Sequence, residues 1–93
     1  MQIRGIVRTA TLEENPPGSD QIEMVLRVQG VGAGQPRVLV VPYTLLLSDQ
    51  ELDPEQIQGK GFKAEVVDEG LGRWIVTEIA FATGRVLREP EAS

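Results

Sequence analysis

Leu52-Asp53-Pro54-Glu55-Gln56-Ile57-Gln58-Gly59-Lys60-Gly61-Phe62-Lys63-Ala64-Glu65-Val66 passes from helix signals to strand signals within residues 52–66. Asp53 offers a side-chain oxygen to the free amides of a first helical turn. Pro54 suits the first helical position, and Gln56 stands three residues after the cap. Gly59 suits the end of that turn. From Gly61 the period becomes two. Phe62, Ala64 and Val66 fall on one face, and Lys63, Glu65 and Val67 on the other. The pattern predicts a helix of a turn or two, anchored by Leu52 and Ile57, then a fourth strand over 61–68. Ser48 with Glu51 is a second, overlapping capping-box match, so the helix is placed within 48–59.

Downstream, Glu69-Gly70-Leu71-Gly72 reads as a hairpin turn, because glycine adopts positive φ without a Cβ penalty. Arg73 to Ala82 is the fifth strand. Ile75, Thr77, Ile79 and Phe81 share its more apolar face, which is expected to point inward. Trp74 then falls on the outer face near Glu78 and is expected to pack under the terminal segment, against Val86 or Leu87. Arg85 to Arg88 adds a short terminal strand, and residues 89–93 form a polar tail.

Upstream, three more strands are expected. Ile3 to Leu12 is rich in β-branched residues without helical spacing. Glu13 to Asp20 holds Pro16-Pro17-Gly18 and must be a loop. In Gln21 to Val31, Ile22, Met24, Leu26 and Val28 alternate with more polar residues. Gly30, Gly32 and Gly34 bracket a turn that ends at Pro36. Arg37 to Val41 is the third strand, and Pro42 marks an edge, a bulge or a strand end because it lacks a donor. Tyr43 to Leu47 fits either a continued strand or a turn of helix. The expected core is Ile22, Met24, Leu26, Val28, Phe62, Val66, Ile75, Ile79 and Phe81.

With 93 residues, 41% hydrophobic and 25% charged, the chain suits one ordinary globular domain, placed at residues 1–88. Cysteine and histidine are both absent. That removes disulfides, thiolate metal sites, a cysteine nucleophile and the commonest general base. No signal-peptide pattern opens the sequence and no apolar run approaches a membrane span, so a cytoplasmic protein is expected. The net charge is −5, from 9 basic and 14 acidic residues. It weighs against a protein that binds nucleic acid mainly by neutralising phosphates.

Residues 52–66 resemble the passage from helix to fourth strand in OB domains. Gly72-Arg73-Trp74-Ile75-Val76-Thr77-Glu78-Ile79 is similar to their fifth strand. The resemblance covers residues 2–82 at the level of architecture. It implies an all-β fold: a small five-stranded antiparallel OB-like barrel with one short helix between strands three and four. It also implies binding through strands two and three and the loops between strands one–two and four–five. In this chain the first of those loops holds Glu13, Glu14 and Asp20 and no base, and the second holds Asp68 and Glu69. The aromatic platforms that stack single-stranded bases are missing from both.

No catalytic, cofactor-binding or metal-ligating residue is expected, and no enzyme activity. The acid pairs lie at turns, where acids ordinarily shape the turn and face solvent. Gly30-Val31-Gly32-Ala33-Gly34 lacks the Gly-Lys-Ser/Thr ending of a phosphate loop. Two binding readings follow. In the first, the apolar segment Val38–Leu47, with Val38, Leu39, Val40, Val41 and Tyr43 as contact residues, pairs an open edge with a protein partner or a second copy. In the second, Arg4, Arg8, Arg27 and Arg37 form a basic surface for single-stranded nucleic acid. The ordinary alternative for these arginines is cross-strand pairing with Glu23 or neighbouring acids.

Overall fold

The computed structural model describes residues 1–14 and 17–89. The elements, in chain order, are β1 (Gln2–Glu14), β2 (Ile22–Gln29), β3 (Val38–Val41), α1 (Tyr43–Leu46), α2 (Pro54–Ile57), β4 (Gly61–Asp68), β5 (Trp74–Phe81) and β6 (Val86–Arg88). Residues 90–93 of the expected tail lie outside the described residues.

The long β1 serves two neighbours. Gln2 to Ile6 pair with β4, and Ile6 to Glu14 pair with β2, both antiparallel. The sheet runs β3-β2-β1-β4-β5-β6, and a parallel bridge between Val40 and Ile75 joins β3 to β5. This closes five strands into a small all-β barrel, with β6 added beside β5. Closure removes the open edges that five strands would otherwise present. The barrel is not wholly antiparallel, since the closing contact is parallel.

Two irregularities bend the strands. The register with β2 steps between Val7 and Thr9, leaving Arg8 as the extra residue of β1. The register of β4 with β5 steps between Glu65 and Val66, leaving Thr77 as the extra residue of β5. A bulge of this kind bends a strand and swaps the faces on its two sides.

That swap corrects the expected inner face of the fifth strand. Val76, Ile79 and Phe81 are buried, whereas Ile75 is half-buried. Trp74 shares the face of Val76 and packs against the core. Ile22 is also not a core residue, because it lies at the projecting end of β2 and is exposed. Met24, Leu26, Val28, Phe62, Val66, Ile79 and Phe81 are buried as expected, joined by Ile3, Val7, Leu39, Val41, Leu45, Ile57 and Leu87.

Two short helices, not one, connect β3 to β4. Asp53 caps α2, its carboxylate accepting from the Glu55 amide at 2.9 Å, as the capping pattern predicts. Ile57 of this turn is fully buried. The Ser48–Glu51 match forms no helix. The Ser48 hydroxyl instead donates to the Leu45 carbonyl at 2.6 Å, closing α1, and Asp49 takes the Glu51 amide in a turn. Tyr43 to Leu46 form α1, with Pro42 as its N-cap and Leu45 fully buried.

Candidate functional site

The β1–β2 hairpin extends past the barrel. β3 pairs only with Met24 to Arg27 of β2, so Ile22 and Glu23 have no β3 neighbour. Leu12 lies opposite the buried Met24, and Ile22 sits two pairs further out, opposite Glu14, on the same face. Past Val41 the chain turns at Pro42 into α1, and Leu45 enters the core. The space between the overhanging hairpin and the α1–α2 segment is a groove of about 300 Å³. Leu12, Ile22, Tyr43 and Leu47 line it and are all exposed, with the buried Met24 beneath.

The chain segments that line the groove carry acids and no base. Its lining contains Asp49 and no Lys or Arg. Exposed Glu13 and Glu14 follow Leu12, Glu51 follows Gln50, and Asp53 and Glu55 flank Pro54. Asp49 is held from outside by Arg85, whose Nη1 donates to Oδ2 at 2.6 Å. That hydrogen bond, then the Asp49 charge, raises the Arg85 guanidinium above its ordinary pKa. On the hairpin side, Arg73 bonds both Glu23 and Glu69, tying β2 to the turn before β5.

The expected contact segment divides differently. Leu39, Val40 and Val41 are buried, so they are core residues and not a contact surface. β3 is no open edge, because β2 flanks it on one side and β5 touches it on the other. Closure explains the correction: the apolar run fills the barrel. Val38 and Tyr43 remain exposed, and only Tyr43 reaches the groove. Leu47 closes the expected segment Val38–Leu47, whereas sequence reasoning missed Leu12 and Ile22. The signal available was the apolar period of the first two strands running on into a loop too polar to cover it.

Arg4, Arg8, Arg27 and Arg37 are all exposed. Arg4 lies opposite Lys63, and Arg27 stands between Thr9 and Val38. Arg8 and Arg37 line one concavity with Gln29 and Gly30. The ion pair of Glu23 among the described residues is with Arg73, from the β4–β5 turn, rather than with one of these four arginines. Among the described residues none of the four arginines has an ion pair, whereas Arg73 and Arg85 do.

The chain matches no protein-family model, no curated protein and no solved structure.

Among the described residues no group of His, Cys, Asp and Glu is arranged to hold a metal ion. No helix among them is long and apolar enough to cross a membrane.

Proposed function

We propose that the protein is a non-catalytic binding module of the OB superfamily that docks an apolar segment of another protein in the groove beside α1. The five-stranded closure and the helices between β3 and β4 support the superfamily reading. A cytoplasmic setting is part of the same reading.

One observation carries the function. Leu12, Ile22, Tyr43 and Leu47 are exposed together around a single groove, where scattered exposed side chains would need no explanation. Covering them gains about 25 cal/mol per Å² of apolar area before association costs. The acids on the lining segments select the occupant: apolar anchors flanked by Lys or Arg. A second copy is the poorer fit, because each copy carries a net charge of −5 and a groove of about 300 Å³ admits a few side chains rather than a barrel.

Selection from a random peptide library on the immobilised protein tests this. Enriched peptides should combine large apolar residues with Lys or Arg and should lose binding to Ile22→Asp. Peptides that retain binding to Ile22→Asp, or that are rich in acids, would contradict it. A dimer seen by light scattering and broken by Ile22→Asp would replace the foreign segment with a second copy.

Nucleic acid is the second reading, favoured by four exposed arginines that have no ion pair among the described residues. The acidic loops and the missing stacking platform weigh against it. Micromolar binding of a labelled oligonucleotide at physiological salt, weakened by Arg27→Ala, would reverse the ranking.

A further inference from the structure

All fourteen acidic residues lie outside residues 1–12 and 24–48, and these two segments hold Arg4, Arg8, Arg27 and Arg37. The fold brings the segments together, since β1 pairs with β2 and β2 with β3. Two paired segments of an acidic chain thus carry four arginines and no acid. Within them, two devices create a concavity of about 300 Å³. The β1 bulge inserts Arg8, whose position has no partner in the β2 register. At the other side, Gly30 takes a positive φ of 74° at the end of β2, and the Arg37 carbonyl accepts from the Val28 amide at 2.9 Å. Arg8 on β1 and Arg37, the residue before β3, therefore line the same hollow, together with Gln29 and Gly30 and with no carboxylate among its described lining residues.

We infer that the Arg8–Arg37 concavity binds a phosphoryl-type anion. Two guanidiniums offer several N–H donors in planar forks, which match tetrahedral phosphate oxygens better than a single carboxylate. Among the described residues neither guanidinium has an ion pair. The anion comes either as a free small phosphate compound or as a backbone phosphate of a single strand. The site is separate from the groove beside α1 and does not depend on that reading.

Calorimetric titration with inorganic pyrophosphate at constant ionic strength tests the site. The expected result is saturable binding to one site. Arg8→Gln and Arg37→Gln should each weaken it about tenfold, the loss expected for one charge-assisted hydrogen-bonding group. Arg4→Gln, outside the concavity, should leave it within about twofold, as expected for a distant screened charge. All three side chains are exposed, so thermal melts should match wild type. A second arm titrates labelled oligothymidylate. Binding that pyrophosphate displaces, with the same dependence on Arg8 and Arg37, identifies a nucleic-acid phosphate as a source. Absence of oligonucleotide binding leaves the free anion. No saturable binding of pyrophosphate, or an equal loss in all three variants, overturns the site.

Discussion

The Thr77 hydroxyl donates to the Glu65 carbonyl at 3.3 Å, and this contact marks the residue that β5 has and β4 lacks. On one side of it Val66 faces Val76; on the other Glu65 faces Glu78. The inner face of β5 thus passes from Val76 to Ile79 in three steps rather than two. Ile75 and Ile79, which strict alternation puts together, have different surroundings.

Their truncation should separate them. Ile79→Ala removes a fully buried side chain and should cost about 2–5 kcal/mol. Ile75→Ala, at a half-buried position, should cost less than half as much. Urea melts of the two variants check this, and equal losses would place the bulge elsewhere. Phe81→Ala should cost about 3–5 kcal/mol in the same assay.

Gly5 is a second point of strain-free close approach. A Cβ there would lie 2.5 Å from the Gln29 carbonyl oxygen and 3.0 Å from the Val31 side chain. The oxygen belongs to backbone and cannot swing away. Gly5→Ala should therefore push β1 from β2 and cost about 1–3 kcal/mol, as overpacking does. Thermal unfolding measures it, and an unchanged midpoint would mean that the strands separate freely.

Thr9 follows the β1 bulge with its hydroxyl buried, and that oxygen has no hydrogen-bond partner among the described residues. Valine has the same shape without the polar atom. Thr9→Val should stabilise the protein by about 1 kcal/mol, part of the cost of a buried unsatisfied group. Chemical denaturation reads the change, and destabilisation would show that the hydroxyl is satisfied in solution.

How much was legible in the sequence depends on the range of the interaction. Local signals held: the Asp53 cap with Pro54, the Gly59 stop and the alternation of β4 all appear as read. Alternation failed at Thr77, because an inserted residue swaps the faces and periodicity carries no mark of it. The Val38–Val41 run looked like surplus apolar surface because its partner, β5, lies more than thirty residues away, and only closure shows it as core. The groove escaped notice for the converse reason. Leu12 and Ile22 read as ordinary strand positions, and their exposure follows from β3 being too short to cover the hairpin end. The arginines were identifiable as a set, but the meeting of Arg8 and Arg37 in one hollow needs the bulge and the turn at Gly30.

The groove beside α1 is the centre of the functional account, and amide chemical-shift mapping tests it most directly. A short peptide of leucines and lysines should shift the amides around Leu12, Ile22, Tyr43 and Leu47 and leave those of Arg4, Arg8 and Arg27 in place. The same peptide with glutamate for lysine should bind more weakly, because the acids on the lining segments repel like charges. Shifts spread over the whole barrel, or confined to surfaces away from these four residues, would contradict the account.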